Sequence, residues 1–143
     1  MSARDLPLPE PDLYALLAEA AGGASVQVDP TARVEAGVRL GPGCRVRSGA
    51  VLARGTVLGQ AVLVGPNVAF VDDEDGLGPT VVGDGVRIGA NAVIDAGLCV
   101  GAGARIKPGA VVLSDVPAGA VVAGNPAVVI GHADDALVLG CQP

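Results

Sequence analysis

The chain has 143 residues, enough for one domain with its own core, and its net charge is -6. That charge argues against nucleic acid or an anionic membrane surface as a partner, because both are bound by clustered Lys and Arg. Half of the residues are hydrophobic but only 1% are aromatic, which predicts a narrow, repetitive core of small aliphatic side chains. No apolar run of about 18 residues could span a membrane, and we expect a cytoplasmic protein because the first residues lack a signal-peptide pattern.

Residues 1–24 differ in pattern from the rest of the chain. Three prolines in the first half of this segment predict an extended lead-in. Four apolar residues then follow at helical spacing and predict a short helix: Leu13, Leu16, Leu17 and Ala20. Gly22 and Gly23 end it, and we expect the helix to cap the structure that follows.

From Val28 onward an aliphatic residue returns every six positions. The series is Val28, Val34, Leu40, Val46, Leu52, Leu58, Val64, Phe70, Val82, Ile88, Ile94, Val100, Ile106 and Val112, and it resumes after a jump of four as Val116, Val122 and Val128. Four positions after most of them lies a small or medium apolar residue, such as Ala50, Val62 or Ala92. A period of six fits neither a flat strand nor a helix, so it predicts short strands joined by sharp turns. The sequence thus predicts an all-β, single-stranded parallel β-helix over residues 25–131 and a tail over residues 132–143.

The stretch Val64–Thr80 interrupts the aliphatic series with a run of four carboxylates. Val64 and Val82 are 18 residues apart, which is three repeats, so the spacing predicts a coil that stays in phase. In that interpretation Phe70 points inward, Gly76 occupies the next inward position, and one edge of the coil is open.

Several motifs give the chain a family resemblance. They are Gly65-Pro66-Asn67-Val68-Ala69-Phe70-Val71-Asp72-Asp73, Ile88-Gly89-Ala90-Asn91-Ala92-Val93-Ile94, Asp115-Val116-Pro117 and Gly124-Asn125-Pro126-Ala127. The pattern resembles the hexapeptide-repeat acyltransferases, and among them the nucleotide-sugar N-acetyltransferases. The resemblance implies a left-handed helix, a homotrimer with sites between subunits, acetyl-CoA as co-substrate, no metal, and an amino group on a nucleotide-linked sugar as acceptor.

The resemblance places the acceptor site at Asn67, Asp72 and Asp73, with Asp73 aligned with the family's Asp. A carboxylate there would orient an ammonium group and take its proton, and an amide would hold the acceptor. Two other interpretations stay open. The carboxylates also fit a solvated turn ending at Gly76, and four hard oxygen ligands fit a calcium site.

The resemblance also suggests where the co-substrate would lie. Gly89, Ala90 and Ala110 would present backbone groups to the pantetheine arm, since small residues permit close approach. Arg105 and Lys107 would meet the pyrophosphate or the 3′-phosphate. An ordinary solvated corner of the helix is the alternative for both cations.

The histidine and the cysteines argue against several kinds of catalytic and metal site. His132 is the one histidine and follows the last repeat, which predicts a surface residue rather than a base between coils. One histidine also excludes the three-His zinc site of the carbonic-anhydrase branch of this fold. Cys44, Cys99 and Cys141 have no metal-like spacing and are predicted to be reduced thiols, with Cys44 in the core.

The favoured function is an acetyl-CoA-dependent N-acyltransferase in which the amine attacks the thioester directly. No acyl-enzyme is expected, because no Cys or Ser lies beside a base. The alternative is a non-catalytic trimeric scaffold or regulatory partner, favoured by the short loop, by the lack of histidine in the repeats and by Val128, where the family often has a cation. O-acetyl transfer is a weaker alternative, because a hydroxyl needs a stronger base.

Overall fold

The computed structural model describes residues 25–133 of the chain. The predicted lead-in and helix of residues 1–24, and the predicted tail after residue 133 with Cys141, lie outside the described residues. Residues 25–133 form sixteen short strands joined by tight turns and contain no helix. In chain order the strands are β1 (Gln27–Val28), β2 (Arg33–Val34), β3 (Arg39–Leu40), β4 (Arg45–Val46), β5 (Val51–Leu52), β6 (Val57–Leu58), β7 (Leu63–Val64), β8 (Ala69–Phe70), β9 (Val81–Val82), β10 (Arg87–Ile88), β11 (Val93–Ile94), β12 (Cys99–Val100), β13 (Arg105–Ile106), β14 (Val111–Val112), β15 (Ala120–Ala123) and β16 (Val128–His132).

The strands form three sheets around one core, which we call faces A, B and C. Face A contains β1, β4, β7, β10, β13, β15 and β16, face B contains β2, β5, β8, β11 and β14, and face C contains β3, β6, β9 and β12. Successive members of a face pair in parallel, as Val28 does with Val46 and Val46 with Val64. The chain therefore visits the three faces in turn over about five coils, and the predicted all-β parallel β-helix is confirmed.

The core is the column of inward side chains that the six-residue period predicted. Leu52, Val64 and Ile94 have no exposed surface, and Phe70 is 3% exposed. The second predicted column, four positions later, is equally buried: Ala50, Thr56, Val62, Val68, Val86, Ala92, Ala104, Ala110 and Ala120. Cys44 belongs to it, fully buried, and its thiol donates to the carbonyl of Gly59 at 2.9 Å.

The turns between strands have one shape, repeated with the same period. The third residue after each inward aliphatic has a positive φ in most turns, and it is a glycine at most of them. Asn67 and Asn91 fill the same position with φ of 60° and 64°, as asparagine tolerates this conformation. Gly89 shows a second constraint, because a Cβ there would lie 2.5 Å from the backbone nitrogen of Pro108 on the next coil.

The stretch Val64–Thr80 does not form the predicted in-phase coil. Val82 lies on face C, where it pairs with Leu58, and Gly76 lies in no strand and has no inward position. The connection from β8 to β9 has ten residues, 71–80, whereas that from β5 to β6 has four, 53–56. The chain therefore carries a six-residue insertion. Its length equals one repeat, which is why the aliphatic phase survived.

The predicted inward position of Val128 is also wrong. Val128 is 58% exposed and lies in β16, which pairs antiparallel with β15. The turn at Gly124–Ala127, with a cis peptide at Asn125-Pro126, reverses the chain before Val128. The solenoid therefore closes with a reversed strand along the edge of face A.

Candidate functional site

Residues 71–80, which we call the acidic loop, lie at the corner between faces B and C. Asp73 holds the loop in shape, because its carboxylate accepts hydrogen bonds from the backbone N–H groups of Leu77 at 2.5 Å and Gly78 at 2.7 Å. The carboxylate of Asp72 has no partner within residues 25–133, and Asp72 is exposed. The two predicted catalytic carboxylates therefore have different environments.

The acidic loop packs against the coils on both sides of it. Leu77 covers Gly97 on the following coil so closely that a Cβ at Gly97 would lie 2.6 Å from the Cβ of Leu77. On the preceding coil, a Cβ at Gly55 would lie 3.4 Å from that of Pro79. Thr80 is buried at the end of the loop and donates to the carbonyl of Asp95 at 3.0 Å. The ends and middle of the loop are therefore fixed to the solenoid.

A groove of about 690 Å³ lies between the acidic loop and the outer surface of face B. Its lining combines apolar side chains with charges of both signs: Arg33, Glu35, Val51, Arg54, Gly55, Phe70, Asp72, Asp73 and Pro79. Arg33 is already engaged, since its Nε lies 2.9 Å from Oε2 of Glu35. Arg54 has no ion-pair or hydrogen-bond partner in the part of the chain that the structure describes. The groove thus offers one unengaged guanidinium and one unengaged carboxylate.

The other predicted site residues meet at a different corner, between faces A and B. Asn67 lies there between β7 and β8, Gly89 and Ala90 between β10 and β11, and Lys107 between β13 and β14. These turns stack on successive coils, as the hydrogen bond from the Gly109 N–H to the Ala90 carbonyl at 2.9 Å shows. The side-chain oxygen of Asn67 covers Gly49 on the coil before, where a Cβ would collide with it. The structure therefore groups Asn67 with the residues predicted to bind the co-substrate and not with Asp72 and Asp73.

Ala90 and Ala110 differ in what they can offer a ligand at the A/B corner. The N–H of Ala90 has no partner among residues 25–133, whereas Pro66 and Pro108 occupy the same turn position on adjacent coils and carry no N–H. Ala110 is fully buried, and its N–H and carbonyl bond to Lys107 and Val93. Of these two residues, Ala90 is therefore the one whose backbone N–H has no partner among residues 25–133.

Arg87 is a cation at this corner that the sequence prediction missed. It lies directly opposite Arg105 on adjacent strands of face A, with both side chains pointing outward. Two like charges facing each other across a sheet destabilise it, and an anion bound between them would relieve the repulsion. The signal was present in the sequence, because the residue before each inward aliphatic points outward and residues 18 apart stack.

Arg33, Glu35 and Arg54 were also missed as site residues. All three precede the acidic loop by many residues, and only the path of that loop brings them to one groove. Sequence spacing alone gives each of them a surface position. The position of the loop along the B/C corner, fixed by Leu77 and Pro79, was the missing information.

His132 and the cysteines lie away from the groove. His132 is exposed and ends β16 opposite Ala120, as a surface residue. Cys99 points outward from face C and is exposed, whereas burial raises the pKa of the Cys44 thiol. Within residues 25–133 no three His, Cys, Asp or Glu side chains are arranged to hold a metal ion.

Among the residues that the structure describes, no helix has the length and apolar character needed to cross a bilayer.

The chain is similar to known transferases in sequence and in fold. The family model described as bacterial transferase hexapeptide (six repeats) matches residues 79–114. The 2,3,4,5-tetrahydropyridine-2,6-dicarboxylate N-acetyltransferase of Staphylococcus aureus (strain JH9) is 51% identical over 71 residues, which is 50% of this chain and 30% of that one. The chain therefore spans under a third of the length of this curated relative.

Two solved structures extend the likeness over most of the solenoid. A hexapeptide-repeat acetyltransferase from Vibrio cholerae, in complex with acetyl coenzyme A, has a TM-score of 0.66 and 27% identity and covers 76% of this chain and 68% of its own. The acetyltransferase domain of PglB from Neisseria gonorrhoeae, also with acetyl coenzyme A, has a TM-score of 0.58 and 29% identity and covers 78% and 62%. In its six-residue repeats and its solenoid of parallel coils, the chain is similar to hexapeptide-repeat acetyltransferases.

Proposed function

We propose that the protein transfers the acetyl group of acetyl-CoA to the amino group of a small molecule bound in the groove beside the acidic loop. The observation that carries this proposal is the groove itself, which has the apolar side chain of Val51 in its lining and, at its edge, the carboxylate of Asp72, which no residue among 25–133 engages. Such a site suits an amine, because the carboxylate can orient an ammonium group and accept its proton. A nucleotide-linked amino sugar, as the resemblance implies, is one acceptor in this class, and a cytoplasmic location is part of the proposal.

The chemical step needs no covalent enzyme intermediate. The ammonium group gives a proton to the Asp72 carboxylate, and the neutral nitrogen attacks the thioester carbonyl carbon. The new C–N bond forms, the C–S bond breaks, and the CoA thiolate leaves and takes up the second proton, which the nitrogen loses as the amide forms; Asp72 then releases the first proton to water. Asp73 supports this step by holding the acidic loop through Leu77 and Gly78.

Acetyl-CoA is proposed to lie along the A/B corner as co-substrate. Gly89 and Ala90 form the narrow part of that corner, and the spare N–H of Ala90 is available to the pantetheine arm. Ala110 contributes by keeping the adjacent turn small. Arg105 and Lys107, together with Arg87, supply the positive charge that the phosphates of CoA need.

The two halves of the proposed site lie on different corners, and this supports the proposed homotrimer. Asn67 and the co-substrate residues flank β8 on the A side, whereas Asp72 and Asp73 follow β8 on the C side. In a symmetric trimer, the A/B corner of one subunit would face the B/C corner of its neighbour. Asn67 would then act on an acceptor held by the neighbouring subunit's acidic loop.

The test is release of free CoA thiol. The protein is mixed with acetyl-CoA and with a panel of amines, amino sugars, nucleotide-linked amino sugars and simple sugars, the last of which offer only hydroxyl groups. We expect thiol release with amines only. Release with hydroxyl acceptors alone would favour O-acetyl transfer, and no release together with no acetyl-CoA binding by calorimetry would reject acyl transfer.

A trimeric scaffold or regulatory partner is the second candidate function. Two observations favour it: the repeats within residues 25–133 contain no histidine, and both oxygens of Asp73 are engaged within the acidic loop. A scaffold would bind neither acetyl-CoA nor an amine. The calorimetric part of the same experiment therefore separates the two candidates.

A further inference from the structure

We propose that the acceptor amine also carries a carboxylate group and that Arg54 binds it. This inference rests on the proposed function and names the class of acceptor. It assigns a binding role to a residue of the B/C corner that neither the family motifs nor the sequence pattern singled out.

Arg54 and Asp72 line the same groove. Arg54 lies two residues after Leu52 of β5, and Asp72 lies two residues after Phe70 of β8, on the next coil of the same face. Two unlike charges therefore lie along the groove on neighbouring coils.

The charges of Arg54 and Asp72 are not paired with each other. The one ion pair among the groove residues is that of Arg33 with Glu35. No ion pair within 4.0 Å joins Arg54 to Asp72 or Asp73 in the described part of the chain. A ligand with an ammonium group and a carboxylate would satisfy both partners, and an arginine fork accepts a carboxylate by two parallel hydrogen bonds.

The same groove is poorly suited to a nucleotide. The one aromatic residue among residues 25–133 is Phe70, which is 3% exposed and offers no stacking surface to a base. The acidic loop also carries Glu74 and Asp75, which are exposed and would repel a diphosphate bound beside the loop. Carboxylates carry less charge than a diphosphate, so the observations favour an amino acid-like acceptor over a nucleotide sugar.

The experiment uses matched pairs of acceptors. Glycine, β-alanine, 4-aminobutyrate and 2-aminoadipate are each compared with the corresponding carboxamide, together with one nucleotide-linked amino sugar. Binding is measured by calorimetry without acetyl-CoA, and turnover by thiol release with it. We expect at least one acid to bind about ten- to a hundredfold more tightly than its amide, the effect of one charge-assisted contact.

Variants assign the preference to Arg54. Arg54→Gln should remove the preference for the acid, and Arg54→Lys should restore part of it, because it keeps the charge and loses the fork. Arg39→Gln is the control, since Arg39 points outward from face C and does not line the groove. It should leave the preference unchanged.

Three outcomes would overturn the inference: equal binding of acids and amides, a preference that survives Arg54→Gln, or selective binding of the nucleotide sugar. The binding measurement does not depend on acetyl transfer, so it decides by itself whether Arg54 binds a carboxylate on the acceptor. If acids bind through Arg54 but no thiol is released, the acceptor class stands and acetyl transfer fails. If amides and acids are acetylated equally, acetyl transfer stands and the acceptor class fails.

Discussion

Asp72 and Asp73 show how far a family motif can assign roles at the level of single residues. The motif named both, with Asp73 aligned with the family's Asp. In the structure Asp73 uses both oxygens to hold the acidic loop, and Asp72 faces the groove with its carboxylate unengaged by residues 25–133. A sequence cannot separate the two, because the hydrogen bonds depend on how Leu77 and Gly78 turn back over Asp73.

Asp72→Asn should lower kcat with little effect on stability. The amide keeps the size of the side chain but cannot accept the proton, a loss of about 10²- to 10⁴-fold. The melting temperature should stay the same, since exposed substitutions without structural contacts change stability by about 0.5 kcal/mol or less. Asp73→Ala should instead make the acidic loop more sensitive to limited proteolysis. Full turnover by the Asp72 variant would show that this carboxylate takes no proton.

Cys44 and Cys99 should differ sharply in reactivity toward iodoacetamide. Cys99 is exposed, whereas burial raises the pKa of Cys44 and removes access to it. A thiol with a raised folded-state pKa stabilises the fold below its unfolded pKa and loses that contribution as the pH rises through the folded value. Peptide mapping by mass spectrometry should find Cys99 alkylated in the native protein, with Cys44 alkylated only after denaturation. Rapid native alkylation of Cys44 would contradict its inward position.

At the level of strands and turns, the six-residue rule predicted the inward positions well and their faces less well. The structure has a buried side chain at nearly every position that the rule predicted, because inward-facing and outward-facing residues alternate within each short strand. The rule failed at Gly76, since an insertion of six residues leaves the aliphatic phase intact while moving Val82 from the predicted face to face C. It failed again at Val128, where counting cannot reveal that the chain reverses after Gly124.

Gly97 tests whether the acidic loop rests on the following coil. Gly97 and Gly103 have φ of 74° and 72°, but a Cβ at Gly97 would press against Leu77, whereas one at Gly103 would meet nothing within 4 Å. Both alanine variants carry the cost of a positive φ, and Gly97→Ala adds an overpacking cost of about 1–3 kcal/mol. Urea unfolding should show that difference.

A double variant controls for the cause of the difference. Leu77→Gly combined with Gly97→Ala should recover part of the loss, because glycine lacks the Cβ that the new methyl group would press against. Equal stabilities of the Gly97 and Gly103 variants would mean that the acidic loop does not pack there.

At the level of the whole molecule, the proposed site is divided between two corners of one solenoid. Asn67 and the residues proposed to bind the co-substrate lie at the A/B corner, and the groove proposed for the acceptor lies at the B/C corner. The sequence predicted both sets of residues but not their separation, because the residues between Asn67 and Asp72 pass along face B in β8. The division makes a shared site between subunits the natural arrangement of the proposed trimer.

Subunit complementation tests this arrangement. Asp72→Asn damages the acceptor half, and Arg105→Gln with Lys107→Gln damages the co-substrate half. Coexpressed in equal amounts, the two variants should assemble at random into trimers, and about a quarter of all interfaces in that population should join two intact halves. Thiol release should therefore reach about that share of the wild-type rate, although each variant alone is nearly inactive. Mixed trimers, verified by native mass spectrometry, with no recovered activity would place both halves in one subunit.

Deleting the acidic loop tests the proposed acceptor site most directly. Deleting residues 73–78 and making Pro79→Gly leaves a four-residue turn like Ala53–Thr56, so the solenoid should fold with an unchanged β spectrum. Thiol release from acetyl-CoA in the presence of an accepted amine is then measured beside acetyl-CoA binding. We predict that the shortened protein binds acetyl-CoA as the wild type does and releases no thiol. Wild-type turnover by the folded, shortened protein would contradict the assignment of the acceptor site to the acidic loop.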